Sequence, residues 1–326
     1  MLLSGMMRRG RSGRCWVAGV QAGLRVGVQV LALSAGVRGL AGAQSMDDAI
    51  FMDRRVLCAG LVYTRDQWRE YWEGTLKRDN GNIGTLTTSQ ATWMGAYGLT
   101  DRINIMASLP YVWTNASQGV LAGQSVTQDL SVGIKVSAFS TPFTTKGTLH
   151  GIAVLSATMP TSEYTPDFYP MSIGSASTRA TARAILSFQS RKGMYVNGAA
   201  AYTRRGNVKL DRVAYYTNNQ LFLTNEVQMP DVSDYALTFG YQRPGLVVPL
   251  TLTTQRTLGG GDIRRQDVPF VSNRMDFTRV DGRVQYTLPM FKLVTVHAGA
   301  SRILAGRNVG QSTTIMGGVL LAGKLR

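Results

Sequence analysis

His150 and His297 are the only imidazoles among 326 residues. Hydrolytic chemistry would need a serine or carboxylate within hydrogen-bond reach of one of them. Ser301 shares the parity of His297 but lies four residues along, roughly 13 Å away at ~3.3 Å per extended residue. A partner on a neighbouring strand stays open, so a hydrolase is carried as a second alternative. The stretch LGGGDIRRQDVPFVSNR (258–274) offers a different chemistry, a glycine-rich phosphate cradle. Such a cradle needs a strand before it, a helix N-terminus after it and ideally a Gly-Lys-Ser/Thr ending. Here strand-like VVPLTLTTQRT precedes, strand-like FTRVDGRVQYTL follows, and no such ending occurs. The stretch is therefore a loop. Its charged tip, Asp262, Arg264, Arg265 and Asp267, is either solvated or folded inward to narrow a pore. Two cysteines, Cys15 and Cys58, form no cluster with histidine, so no metal or cofactor is expected.

The elements around these residues repeat with a period of two. In DLSVGIKVSAF (129–139), Leu130, Val132, Ile134, Val136 and Ala138 fall on one face; Asp129, Ser131, Gly133, Lys135 and Ser137 fall on the other. Twelve such segments are read: 55–64, 86–97, 102–115, 128–139, 147–158, 177–188, 194–205, 232–241, 246–256, 276–288, 292–303 and 312–325. TLHGIAVLSAT, in the fifth, alternates least well. The connections alternate in length. Short ones lie at 98–101, 140–146, 189–193, 242–245 and 289–291. Long ones lie at 65–85, 116–127, 159–176, 206–231, 257–275 and 304–311. An even number of antiparallel strands with one short-turn end and one long-loop end predicts an all-β fold, a single closed up-and-down transmembrane barrel. Closure follows from physics, because hydrocarbon offers no partner for an unpaired N–H or C=O. Aromatics predicted to face outward gather at both ends. Tyr97, Phe139, Phe188, Tyr195, Tyr241 and Tyr286 lie near short turns, whereas Tyr63, Tyr111, Trp113, Tyr202, Tyr235 and Phe277 lie near long loops.

The formal charge of +16 overstates the basicity of the barrel itself. Residues 1–43 hold six arginines and no acid, then the apolar run VGVQVLALSAGV and a small-residue AGA before Gln44. This reads as a cleaved signal peptide, followed by a short periplasmic N-terminal segment (44–54) and the barrel (55–326). No uncharged apolar run reaches the ~18–20 residues of a membrane-spanning helix. The remaining basic residues are scattered, which argues against nucleic-acid binding.

Strand parity sends Asp129, Lys135, Arg179, Arg183, Arg279, Asp281 and Arg283 into the lumen, since an arginine facing lipid at mid-bilayer costs about 2–4 kcal/mol. Five of these seven are cationic, giving the expectation of a narrow, cation-lined lumen. These side chains either brace the interior or select solutes by charge. In YTRDQWREYWEGTLKRDN (63–80), Trp68, Tyr71 and Trp72 either stack on an aromatic ligand or pack a short helix over the barrel mouth.

YGLTDRINIMASLPYVW (97–113), followed by QDLSVGIKVSAF (128–139), resembles the outer-membrane β-barrel family of meta-pathway phenol-degradation proteins, whose members are often called transporters. The resemblance covers about a tenth of the chain, and the ending AGKLR departs from the usual aromatic terminus of such barrels. It implies a barrel of this size and passage of small hydrophobic or aromatic compounds, and it transfers no catalytic or binding residue. The expectation is a non-enzymatic conduit in the outer membrane of a Gram-negative bacterium. Its partners would be outer-membrane lipid and lipopolysaccharide, the barrel-assembly machinery and a small-molecule solute, with no nucleic acid. A non-conducting barrel with functional external loops is the alternative.

Overall fold

A computed structural model describes residues 44–217, 219–263 and 269–325; the expected signal peptide (1–43) lies outside them. Twelve long strands appear where alternation placed them: β1 (Val56–Trp68), β2 (Leu86–Thr100), β3 (Ile103–Ala116), β4 (Leu130–Phe143), β5 (Gly147–Met159) and β6 (Arg179–Ser190). They continue as β7 (Met194–Arg205), β8 (Val232–Arg243), β9 (Leu246–Thr257), β10 (Asp276–Thr287), β11 (Val294–Arg307) and β12 (Thr313–Lys324). Each pairs antiparallel with the next, and β1 pairs with both β2 and β12. The sheet closes into a barrel without edges.

Register fixes its dimensions. Following the pairs once round returns to β1 about 14 residues from the start. With ~3.3 Å per residue and ~4.8 Å between strands, that stagger tilts the strands about 40° and sets a backbone radius of about 12 Å.

Outward positions are apolar and exposed, as in Leu61, Ile134, Leu155, Leu186, Leu237, Leu250 and Val319. Inward neighbours bond across strands through hydroxyl pairs such as Ser131–Thr158, Thr181–Thr203 and Thr238–Thr251, each 2.9 Å apart. A two-residue turn joins Arg243 to Leu246 through Pro244 and Gly245. Proline presets the first central dihedral there, and the second needs the positive φ (78°) that glycine supplies.

Bulges alter the simple parity. A register shift between Ser137 and Phe139 turns Phe139 outward, where its ring lies over Gly151. Two aromatics expected on the outside face the lumen instead. Tyr195 and Phe277 sit on the inward parity of β7 and β10, and both line the interior cavity.

Candidate functional site

The segment before β1 is the largest departure from expectation. Residues 44–54 do not lie outside the barrel; they tuck into its lumen near the short-turn end. Asp48 shapes the segment. Its Oδ2 accepts from Ser45 N–H at 2.6 Å and from Ser45 Oγ at 2.9 Å, and its Oδ1 accepts from Ile50 N–H at 2.9 Å. The resulting turn aims the Ser45, Asp48 and Ile50 carbonyls at one point, which Lys135 of β4 occupies. Lys135 Nζ donates to Ser45 O (2.6 Å), Asp48 O (2.9 Å), Asp48 Oδ1 (3.0 Å) and Ile50 O (3.2 Å). Its side chain is fully buried, so this contact set replaces the hydration of an ammonium that could not otherwise sit there.

Two further polar contacts tie the segment down. Asn104 of β3 pairs with the Gln44 amide at 3.0 Å, and Arg183 of β6 meets Asp47 at 2.8 Å. Between these ties Met46, Ala49, Ile50, Phe51 and Met52 pack on Cys58, Ala96, Met106, Ile152, Val154 and Leu320. The segment thus covers the inner wall of β12 and β1–β6.

The other side of the lumen stays open. A cavity of about 860 Å³ runs beside the segment, lined mainly by β5–β10. Hydrogen-bonding groups such as Asn197, Thr238, Thr251 and Gln255 alternate with Ile152, Val247, Pro249 and Phe277. Of the seven side chains expected in the lumen, Arg183, Arg279, Asp281 and Arg283 line this cavity. Arg283 Nε approaches Asp281 Oδ1 at 3.5 Å, and Arg279 lies 5.7 Å from the Phe277 ring centre. The other three are committed elsewhere. Lys135 holds the segment; Asp129 is buried and takes bonds from Arg179 (2.8 Å) and Tyr164 Oη (2.6 Å). Tyr164 in turn accepts from Ala176 N–H, so this trio fastens the loop between β5 and β6 to the barrel wall.

The cavity is not cation-lined. Its acids are Asp47, Asp48, Asp53, Asp101, Asp234 and Asp281, against Arg183, Arg279 and Arg283. Three of these acids, Asp47, Asp48 and Asp53, belong to the N-terminal segment, outside the alternation of the strands. Asp234 shares the inward parity of Ala236 and Thr238 in SDYALTFGY (233–241). The signal for the segment was its own pattern, apolar Met46, Ile50, Phe51 and Met52 around two aspartates.

The described loop candidates, Trp68, Tyr71, Trp72 and Asp262, contact neighbouring strands and loops. Residues Glu70–Glu73 and Leu76–Asp79 form a hairpin, not a helix. Trp68 lies over Gly310 and Trp72 over Gly306, each so close that a Cβ on the glycine would fall within 2.6 Å of the ring. Tyr71 meets Trp68 with ring centres 6.2 Å apart. Asp262 is clamped at the rim by Arg307 (2.6 and 2.7 Å) and Asn308 (2.8 Å) and does not line the cavity. The Arg307 guanidinium holds its carboxyl below the usual range. Arg264, Arg265 and Asp267 lie outside the described residues. Among the described residues neither ring nitrogen of His297 has a hydrogen-bond partner, and the side chain packs against Gly318.

No family model matches the sequence, nor does any curated protein. The likeness to the phenol-degradation family therefore rests on the two motifs quoted above. Among solved structures, the COG4313 outer membrane channel from Pseudomonas putida F1 superposes with a TM-score of 0.68 at 14% identity, covering 86% of this chain and all of that one. The translocator domain of autotransporter NalP from Neisseria meningitidis gives 0.44 at 13% identity, covering 85% and 90%. The NanC porin gives 0.41 at 10%, covering 80% and 98%. The first likeness spans the whole barrel and shows the fold: this chain is a closed twelve-stranded antiparallel barrel of the outer-membrane type.

Proposed function

We propose that the chain is an outer-membrane conduit for small molecules, with its short turns toward the periplasm and residues 44–54 narrowing the lumen. The observation that carries this is the pairing of an apolar outer belt with a polar inner cavity beside a docked segment. A barrel of about 12 Å backbone radius loses most of its bore to side chains, so the segment leaves room for one small solute at a time. The cavity wall suits an amphiphilic or aromatic solute: Phe51, Tyr195 and Phe277 offer ring faces, and Asn197, Thr251 and Gln255 offer hydrogen bonds. The likeness to a channel structure agrees with this reading by analogy of fold alone.

Planar-bilayer recordings and liposome swelling test it. The intact chain gives a small conductance and slow uptake of small aromatic solutes; a chain lacking residues 44–54 conducts strongly. If neither conducts, the barrel is a scaffold with functional loops and the conduit reading is wrong.

A further inference from the structure

The two ends of the barrel treat charge differently. At the long-loop end acids and cations are interleaved and paired, through contacts such as Arg69–Asp79, Lys77–Glu70, Arg212–Asp167 and Arg307–Asp262. At the short-turn end every connection carries a cation. Arg54 and Arg55 precede β1, and Arg102 lies in the β2–β3 turn. Lys146 closes β4–β5, and Arg191 and Lys192 form β6–β7. Arg243 stands at β8–β9, Lys292 at β10–β11 and Lys324 at the end of β12. All nine are exposed, none takes part in an ion pair among the described residues, and only Asp53 and Asp101 offset them at that end.

Nine unpaired cations round one rim repel each other, so an anionic surface is what such a ring fits. The neighbouring residues identify which surface. Leu99 lies three positions before Arg102, Phe143 three before Lys146, Met194 two after Lys192 and Phe291 one before Lys292, and all four are exposed. A collar built for a soluble acidic protein has no use for an exposed apolar side chain at four of its five turns. At a bilayer surface the pairing has a direct purpose, with the apolar side chain in the acyl region and the long basic one reaching to the headgroup.

We propose that this collar binds the headgroups of anionic phospholipids in the leaflet that meets the short turns. Resting on the reading of the barrel as membrane-embedded, the proposal adds a lipid-binding surface to it. Each basic residue at an anionic surface contributes a modest attraction, and nine act together over a rim within reach of one lipid annulus. Salt weakens the attraction, since the groups are exposed.

The full chain is reconstituted into nanodiscs of mixed phosphatidylglycerol and phosphatidylcholine, and the lipids retained on the released barrel are counted by native mass spectrometry. A collar variant carries Arg54→Gln, Arg102→Gln, Lys146→Gln, Lys192→Gln, Arg243→Gln and Lys292→Gln. A control carries Lys77→Gln and Lys209→Gln at the other end. The expected result is an enrichment of phosphatidylglycerol of at least about threefold, reduced in 0.5 M salt (roughly 4 Å screening length), abolished in the collar variant and kept in the control. Equal retention of the two lipids, or unchanged enrichment in the collar variant, overturns the proposal. So does binding of soluble polyglutamate to the detergent-solubilised barrel with no lipid preference, which would assign the collar to an acidic protein. Conductance is measured on the same samples, so loss of lipid preference in a conducting barrel removes this inference and leaves the conduit standing.

Discussion

The lumen has two unlike walls. From β12 through β1 to β3, near the short-turn end, inward side chains are Leu320, Ala322, Val56, Cys58, Ala96 and Met106, and residues 44–54 lie against them. From β7 to β10 the inward side chains are Asn197, Asp234, Thr238, Thr251, Gln255, Arg279 and Asp281, and they face the cavity. Outside, both walls look alike, because lipid accepts only apolar side chains. Inside, lipid imposes nothing, and each wall takes the composition its inner neighbour needs. An apolar wall facing water would be a cost; covered by Ile50, Phe51 and Met52 it becomes a small hydrophobic core inside a membrane barrel.

Removing the cover gives the largest expected effect. A chain lacking residues 44–54 exposes the apolar wall and widens the bore, so single-channel conductance rises about five- to tenfold. An unchanged conductance would mean that the segment does not limit flow. Loosening the latch is the next step. Lys135→Met keeps the volume but strips the Ser45, Asp48 and Ile50 carbonyls and the Asp48 carboxylate of their common donor. Breaking one side of a buried pair costs about 3–5 kcal/mol, which is enough to undock the segment part of the time. The record should then flicker between the small and the large conductance. Arg183→Gln, by contrast, breaks a pair whose Asp47 side chain is 69% exposed, and such pairs contribute little. It should leave the open fraction nearly unchanged. Equal flicker in the two variants would sink the distinction between latch and surface pair.

The polar wall can be sharpened through its charge. Asp234 lies with Arg183, Arg205 and Arg279 around it and has no cation within ion-pair distance among the described residues. Along the cavity Asp48 is matched by Lys135, Asp47 by Arg183 and Asp281 by Arg283, so the unmatched Asp234 carboxylate should bias passage toward cations. Asp234→Asn should lower the cation-to-anion permeability ratio by about twofold, read from the reversal potential in a salt gradient. A shift of the opposite sign would restore the cation-lined reading.

How much of this was legible in the sequence follows from where each constraint acts. The membrane imposes period two on every strand, so all twelve strands were readable from alternation, even the poorly alternating β5. Phe139 faces outward, as an aromatic near a short turn is expected to, but alternation alone would turn it inward, because a bulge at Ala138 shifts parity without changing composition. Tyr195 and Phe277 were misread because an aromatic near a strand end suits a lipid interface and a lumen equally. The segment's place was hidden for another reason. Its contacts with Asn104, Lys135 and Arg183 cross 60 to 136 residues of chain, and no local period reports a contact of that span. Lys135 looked like a lumen charge among others until the three carbonyls it serves were brought to it by closure of the barrel.

The smallest effect expected concerns the rim, where a clamp does in partial solvent what Lys135 does in the interior. Asp262 holds Arg307 and Asn308, and Asn308 Oδ1 accepts from Gly74 N–H (2.7 Å) and Ile263 N–H (3.1 Å). The Asp262 carboxyl titrates below its ordinary value, chiefly because Arg307 bonds to the charged form. A carboxylate with a lowered pKa adds stability above its unfolded value, about 3.9, and loses that contribution as pH falls through the lowered one. Protection of the Gly74 and Ile263 amides against hydrogen exchange should therefore stay constant from pH 7 to pH 5 and drop only below about pH 4. The drop should be a few-fold at most, because the Arg307 and Asp262 side chains are 34% and 38% exposed. Asp262→Asn should reproduce it at pH 7 and abolish the acid dependence. Protection that falls already between pH 7 and pH 5 would assign the rim's response to some other group and leave Asp262 a bystander.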